Sequence, residues 1–479
     1  MLFSWAACNQ LKLKAADVSN AYFQAKPLDR LILLKPPPGG LPGEGDLTDA
    51  AVVARVPIYG FRDAGRNFWK QLREVIQKAG LKPNKIIKAL YSLSEDGDCK
   101  VMLATHVDDI CFACKPGYEH RVKEILDFFD IRKEEETEFR FCGREIKQDA
   151  DGSISVTCKD ISEKITPVNF RVNGRKPTDK GTQGEIAQVR SVVGSLSWVA
   201  RQCRPELSYS CSKLQSVAPS IDVAQLEETN KIVQEAQANS ENGLFYKAKA
   251  FDWNDCIIAT VTDASWAGET LIIDDKVFPR KSQMGYVILL ADKKLWDADE
   301  ASVMPICWKS TLIKRTCRST MQAETHAELG GTECAARLRA AYADLRGLLD
   351  IKKWEATSAD AIKHLWLTDC NSLESYLKNP ASAGCEDKRL EVDLEGLRQL
   401  LWENRDGSLK EQLEDNQQDK VRWIDTSTMI ADPLTKLMKP TRLIKCLQSG
   451  VLFLEPTKEA QMSKLMKKAQ RAAKKEKAE

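Results

Sequence analysis

Val101-Met102-Leu103-Ala104-Thr105-His106-Val107-Asp108-Asp109-Ile110-Cys111-Phe112-Ala113 sets the reading of the first half of the chain. Two apolar runs, 101–104 and 110–113, flank an acidic connection, and two such runs so joined read as a β-hairpin. An Asp-Asp pair there is also what an ordinary solvated turn looks like, so its surroundings have to decide its meaning. Upstream, Asp17 precedes Val18-Ser19-Asn20-Ala21-Tyr22-Phe23. Carboxylates at strand ends that face one cleft repel each other, and divalent cations make such a group tolerable. Mg2+ suits it, because that ion takes few carboxylates and keeps positions for phosphate oxygens and water.

Working outward, Ile32-Leu33-Leu34 runs into the breaker Pro36-Pro37-Pro38-Gly39-Gly40. Phe68, Trp69, Leu72, Val75, Ile76 and Ala79 share one helical face, with Gly80 at the C-cap position. His120 to Phe129 reads as a helix and Arg132 to Glu138 as a solvated connection. A polar linker from Asn169 to Gly184 leads into helices at 186–202, 206–217 and 223–238. Strands return at Ile257–Thr262, ending in Asp263, then at Tyr286–Leu290 and Ile306–Thr311. Gln322 to Leu349 is helical, His364–Thr368 is a strand ending in Asp369, Leu390–Glu403 is an amphipathic helix, and Val421–Ile424 is a last strand. From about residue 457 the chain is Lys-rich and low in aromatics, read as a solvated tail ahead of a nucleic-acid arm.

With 479 residues the chain holds about two to four domains. A hydrophobic fraction of 43% and a charged fraction of 29% are those of a globular protein with a sizeable core. A net charge of +2 announces no global basic field, although a local basic groove can be balanced elsewhere. The 15 cysteines form no disulfide-like framework. Cys111 and Cys114 make a CxxC inside an apolar run, read as strand cysteines and not as a metal or redox pair. No signal-like N-terminus and no apolar run of about 18 residues is present, so the expectation is a soluble, intracellular protein of cytoplasm or nucleus, without a membrane.

Five segments together resemble the reverse transcriptases of copia-type retrotransposons. Asp17-Val18-Ser19-Asn20-Ala21-Tyr22-Phe23 is similar to D-V-x-x-A-F, Lys35-Pro36-Pro37-Pro38-Gly39 to Q-P-P-G-F, and Ile58-Tyr59-Gly60-Phe61-Arg62-Asp63-Ala64-Gly65-Arg66-Asn67-Phe68-Trp69 to L-Y-G-L-K-Q-A-P-R-A-W. His106-Val107-Asp108-Asp109 resembles Y-V-D-D, and Phe141-Cys142-Gly143-Arg144-Glu145-Ile146 resembles F-L-G-x-E-I. The resemblance implies that Asp17, Asp108 and Asp109 are polymerase metal ligands, with Arg62 and Arg66 binding substrate. His106 stands for the family's Tyr, Asp63 for its Gln and Gly65 for its Pro. The chain begins about 16 residues before Asp17, where the family has a fingers region, and the expectation is that it is not an independently active polymerase.

The third stretch carries Thr262-Asp263-Ala264-Ser265-Trp266-Ala267-Gly268, Arg280-Lys281-Ser282-Gln283-Met284-Gly285-Tyr286, Ile306-Cys307-Trp308-Lys309-Ser310, Ser319-Thr320-Met321-Gln322-Ala323-Glu324, Thr368-Asp369-Cys370-Asn371-Ser372 and Ala431-Asp432-Pro433-Leu434-Thr435-Lys436. Acids at a strand end, a helix start, a second strand end and a late helix can converge on two metals that hydrolyse a phosphodiester. Taken singly, Asp263 is also a strand-end turn, Glu324 a helix N-terminal acid and Asp432 an N-cap or a solvated acid. Together these segments resemble the copia-type RNase H. The resemblance implies Asp263, Glu324, Asp369 and Asp432 as catalytic metal ligands and Lys281 as a substrate contact. The stretch between Asp263 and Glu324 is longer than the family's, with Asp274-Asp275 and 297–300, and Lys388-Arg389-Leu390-Glu391 replaces K-H-I-D. Arg190–Trp198 and Arg204-Pro205-Glu206-Leu207-Ser208-Tyr209 resemble the family's connecting piece, which grips a duplex or simply packs.

The expected architecture is therefore mixed α+β. A right-hand-like palm of antiparallel sheet and helices covers 1–165, a helical, thumb-like connection 166–250, an RNase H-like α/β domain 251–440, and a basic tail 441–479. The implied function is RNA-directed DNA polymerase with RNase H, using Mg2+ or Mn2+ on RNA template, DNA primer, RNA–DNA hybrid and dNTPs, with RNase H activity favoured over polymerase activity. The alternative is a catalytically degenerate retroelement fragment or a domesticated nucleic-acid-binding protein.

Overall fold

In a computed structural model of the chain, the structure describes residues 1–38, 41, 50–172, 174–273, 276–379, 385–402, 417–456 and 462. Gly39 of the proline-rich motif, Asp274-Asp275 and, apart from Met462, the Lys-rich segment from 457 lie outside the described residues. The first unit comprises α1 (Leu2–Cys8), β1 (Lys14–Val18), β2 (Leu33–Leu34), β3 (Val52–Val53), α2 (Ala64–Lys78), β4 (Lys82–Pro83), β5 (Leu90–Glu95), β6 (Asp98–His106), β7 (Asp109–Cys114), α3 (Glu119–Leu126) and β8 (Ile131–Glu136). Its sheet runs β4-β5-β6-β7-β1-β8, antiparallel throughout. Helices α2 and α3 cover one face through Phe68, Leu72, Ile76, Val122 and Ile125. At the end of α2 the Leu81 and Gly80 amides bond the Ile76 and Gln77 carbonyls, with Gly80 at φ +91°, a Schellman cap that glycine adopts without steric cost.

The charged run Arg132 to Glu138, expected as a solvated connection, instead supplies the edge strand β8 as far as Glu136 and, with Glu138, the start of the next strand. Its Lys and Glu side chains are compatible with pairing because an edge needs one partner only, and charges there deter a second chain from adding on.

A second sheet, β12-β11-β10-β9, uses β9 (Glu138–Phe141), β10 (Arg144–Gln148), β11 (Ile154–Thr157) and β12 (Leu244–Tyr246), so its last strand returns after the helical segment. That segment holds α4 (Lys159–Glu163), α5 (Gln183–Gln202), α6 (Ser208–Val217) and α7 (Val223–Ala238). Helices α5 and α7 start with capping boxes, Thr182 with Glu185 and Asp222 with Gln225. The connecting motifs act here as packing devices. Arg204 is buried and paired with Glu206 at 2.5 Å, and Gly143 (φ +74°) lies so close to Trp198 that a Cβ would stand 2.9 Å from its ring. Glu145 accepts from the Lys159 and Asp160 amides at the start of α4.

The third unit contains β13 (Cys256–Ile273), β14 (Lys276–Asp292), β15 (Glu300–Leu312), α8 (Thr320–Leu345), α9 (Trp354–Ala361), β16 (Lys363–Thr368), α10 (Asn371–Lys378), α11 (Lys388–Trp402), β17 (Asp419–Trp423), α12 (Thr441–Ser449) and β18 (Val451–Phe453). Its sheet order is β17-β16-β13-β14-β15-β18, with β13, β14 and β15 antiparallel and β16 and β17 parallel to β13 and to each other. This is the mixed α+β architecture anticipated.

Two boundaries differ from the sequence reading. β13 does not end at Asp263: it runs on with β14 into a hairpin arm, which accounts for the extra length before Glu324. Residues 441–453, placed with the basic tail, form α12 and β18, because Leu443, Cys446 and Leu447 bury one apolar face and β18 pairs with β15.

One core runs from α1 through the second sheet and α5–α7 to the third. Polar contacts also join the units: Asn84 donates to the Ala341 carbonyl at 2.9 Å and Trp308 to the Ala200 carbonyl at 2.8 Å. The 15 cysteines are free, and Cys111 is buried within β7. Among the described residues no helix is long and apolar enough to cross a membrane.

Candidate active sites

Strand pairing builds the first site. Asp17 on β1 stands opposite Asp109 on β7, and Asp109 opposite His106 across the hairpin. Asp108 lies in the turn between, after Val107 at φ +56°, and its carbonyl accepts from the Val18 amide at 3.1 Å. One carboxylate oxygen from each of Asp17, Asp108 and Asp109 falls within 4.8 Å of the others. All three acids are half-buried. Burial first, then the charges of Asp108 and Asp17, raises the Asp109 carboxyl above its usual range, with His106 opposing. Arg132 on β8 reaches Asp17 at 3.8 Å.

Sequence reading missed the aromatic group beside these acids. Tyr22 and Tyr59 lie 4.6 Å apart and Phe23 5.8 Å from Tyr59, with Phe23 and Tyr59 exposed. Gly65 sits beside the Tyr22 hydroxyl, so the start of α2 is held next to this group. Arg62 and Arg66 are exposed just before and within that first turn. The negative charge of Asp63 is paired with Arg30 at 2.8 Å.

The second site follows from sheet register and close approach. Thr262 of β13 pairs with Thr368 of β16, so Asp263 and Asp369 emerge side by side just beyond the last parallel pair. Glu324 comes from the start of α8, whose N-cap Ser319 accepts from the Gln322 amide. α8 lies close against β13, for a Cβ on Gly331 would stand 2.8 Å and 2.9 Å from the Thr260 and Thr262 methyls. Asp263, Glu324 and Asp369 bring carboxylate oxygens within 4.8 Å of one another.

Asp432 arrives on a short 3-10 turn, 432–434, in place of the late helix expected. Gly285 is the residue opposite Asp263 on β14, and a Cβ there would lie 2.6 Å from the Leu434 Cβ. Bare backbone at 285 thus lets the turn settle beside Asp263, and the Ser310 hydroxyl holds the Leu434 carbonyl at 2.5 Å. The two residues that follow this turn complete the site: Thr435 donates its hydroxyl to Asp263, and Lys436 pairs with Asp432 at 2.6 Å and lies 4.0 Å from Asp263. Lys436 was legible in Asp432-Pro433-Leu434-Thr435-Lys436 only as the residue four after the acid. Lys281 lies on the hairpin arm, its ammonium donating to the Lys314 carbonyl at 3.2 Å.

Burial, then Asp432, pushes the Asp263 carboxyl up to about 7. Burial, then Asp263 and Asp369, raises Glu324 well above the carboxylate range, and burial raises Asp432. Glu324 Oε2 is buried with no hydrogen-bond partner. Clustered, desolvated carboxylates with a vacant lone pair suit a hard divalent cation, so the residues present fit Mg2+ or Mn2+.

Residues 1–174 match the family model described as reverse transcriptase (RNA-dependent DNA polymerase). The Ty1-DR6 Gag-Pol polyprotein of Saccharomyces cerevisiae is 23% identical over 475 residues, covering 93% of this chain and 24% of that one. The TyH3 Gag-Pol polyprotein of the same organism is 23% identical over 355 residues, 68% of this chain and 18% of its own. The chain thus spans about a quarter or less of the length of these relatives. Among solved structures, a foamy viral protease-reverse transcriptase in complex with ds DNA aligns at a TM-score of 0.47 and 12% identity, covering 87% of this chain and 57% of that one. RNase H1 from Halobacterium salinarum NRC-1 aligns at 0.22 and 15%, covering 37% and 93%. The first part of the chain is thus similar to reverse transcriptases over residues 1–174. Most of the chain is similar in sequence to these transposon Gag-Pol polyproteins, the similarity running on beyond the matched reverse transcriptase segment.

Proposed function

We propose that this chain hydrolyses the RNA strand of an RNA–DNA hybrid at Asp263, Glu324, Asp369 and Asp432, and that Asp17, Asp108 and Asp109 are the carboxylates of its primer-extending site. The observation that carries the reading is the convergence of Asp263, Glu324 and Asp369 within 4.8 Å, with the Glu324 Oε2 buried and unpartnered. Three like charges desolvated together cost stability, and a site that keeps them is built for a cation. Mg2+ or Mn2+ bound by these acids would supply Lewis acidity toward the phosphodiester and lower the pKa of a water.

The chain's own groups do the rest. Thr435 orients the Asp263 carboxylate through its hydroxyl, Ser310 and Gly285 seat the turn that carries Asp432, and Lys436 offsets charge between Asp432 and Asp263. Lys281, Arg62 and Arg66 are in this reading the phosphate contacts, which would make binding weaken with salt. In the primer-extending reading, Asp17, Asp108 and Asp109 would hold a divalent ion, which would supply Lewis acidity for dNTP transfer onto a DNA primer along an RNA template.

The test is cleavage of a labelled RNA–DNA hybrid by the full chain with Mg2+ or Mn2+, beside Asp263→Asn and Glu324→Gln. Cleavage abolished in both is expected. Cleavage unchanged in either, or none from folded protein, refutes the ribonuclease assignment. Primer extension lost in Asp109→Asn tests the other site.

A further inference from the structure

Two thiols meet between the third sheet and the long helix laid across it. Cys307 on β15 and Cys334 on α8 bring their Sγ atoms to 3.8 Å, and both side chains are half-buried. The Cys307 thiol, as donor, holds the Cys334 thiol below its ordinary value. Burial opposes this, and the Tyr286 hydroxyl and the charges of Arg337 and Lys309 add to it. The same bond, then burial, raises the Cys307 thiol. The pair thus presents one ready thiolate with a second thiol in contact, as a dithiol needs for exchange.

Proximity alone does not single this pair out. Cys158 and Cys203 also share a hydrogen bond, but both are fully buried, so a reagent in solution does not reach them. Lys309 and Arg337 are exposed, and cations that favour the Cys334 thiolate also favour a reagent that carries carboxylates.

We propose that Cys307 and Cys334 form a dithiol site for a carboxylate-bearing low-molecular-weight disulfide, which closes them reversibly into a disulfide tying α8 to β15. The Cys334 thiolate attacks one sulfur of the incoming disulfide. A mixed S–S bond forms, the old one breaks, and its electron pair leaves on a thiolate that takes a proton. Cys307 then gives its proton to solvent and its sulfur attacks Cys334 Sγ, expelling the second small thiolate, which is protonated in turn. Two protein thiols are oxidised by two electrons, and the small disulfide is reduced to two thiols. An S–S bond is about 2.05 Å long, so the two side chains have less than about 2 Å to close. The bridge joins the helix that carries Glu324 to the strand whose Ser310 holds the Leu434 carbonyl. The inference stands apart from the ribonuclease reading, and its test needs no turnover.

The full chain is equilibrated in mixtures of glutathione and glutathione disulfide, quenched in acid, alkylated, digested and mapped by mass spectrometry. The expected product joins the Cys307 and Cys334 peptides through a bond that dithiothreitol breaks, with Cys158 and Cys203 recovered as alkylated thiols. In Cys307→Ser, which lacks the second thiol, glutathione is expected to remain on Cys334. No joined pair in folded protein at the most oxidising ratio overturns the proposal, and this arm needs no variant. A Cys158–Cys203 bridge formed as readily also overturns it, because opening of the whole fold would then be what admits the reagent. Glutathione on Cys307 in Cys334→Ser, with none on Cys334 in Cys307→Ser, overturns the order of attack. Lys309→Gln with Arg337→Gln is expected to slow joining by glutathione disulfide more than joining by neutral 2-hydroxyethyl disulfide, and equal slowing overturns the preference for carboxylates.

Discussion

Glu328 lies one helical turn after Glu324 on α8 and is fully buried. Its Oε2 accepts from the Thr262 hydroxyl at 2.6 Å, and its Oε1 has no hydrogen-bond partner. Burial pushes this carboxyl from 4.5 up to about 7, against the smaller effect of Thr262. An acid whose pKa is higher folded than unfolded keeps its proton longer in the folded state. The folded protein therefore loses stability as pH rises from about 4.5 to about 7, and the loss is constant above that window. Carrying the carboxyl from 4.5 to about 7, at roughly 1.36 kcal/mol per pH unit, makes the full cost of order 3 kcal/mol. Glu328→Gln keeps the shape and the acceptor for Thr262 without the titration. Denaturant unfolding of both proteins at pH 5 and pH 8, followed by tryptophan fluorescence, isolates the effect, since the other titrations cancel in the difference. The variant is expected within about 1 kcal/mol of the parent at pH 5 and about 3 kcal/mol more stable at pH 8. An equal difference at both pH values would refute the buried-carboxyl argument.

Gly285→Ala places a methyl 2.6 Å from the Leu434 Cβ, so the turn bearing Asp432 and Lys436 has to move. A stability loss of about 1–3 kcal/mol with a sharp fall in hybrid cleavage is expected, read by thermal unfolding and the cleavage assay, and unchanged cleavage would show that the turn is not what this glycine seats. Arg204→Ala leaves the buried Glu206 carboxylate without its partner, and a loss of about 3–5 kcal/mol is expected, partly recovered by adding Glu206→Gln. Equal loss in the double variant would mean that packing of the arginine stem, and not the pair, holds α5, α6 and α7 together.

Sequence by itself determined what neighbours along the chain enforce. The apolar face of α2 and its glycine stop, the capping boxes of α5 and α7, and the hairpin around Asp108-Asp109 are all written in residues a few positions apart, where periodicity and capping operate. The seven acids each stand in a short motif, but it was the resemblance of those motifs to a known family, and not periodicity or capping, that singled them out. What those acids do together was decided by tertiary structure. The charges of 131–136 point to solvent until β1 supplies a partner, and then they become an edge strand. Asp263 and Asp369 become neighbours through a parallel register between strands about a hundred residues apart, which no local pattern encodes. The turn of Asp432 reaches them only because Gly285, on yet another strand, leaves a gap the width of a methyl group. Lys436 entered the cluster by the same route, and Glu328 became a buried acid only once α8 had closed on β13. Close approach and register depend on pairs of residues distant in sequence, so their outcome is settled only when the sheets and helices have packed.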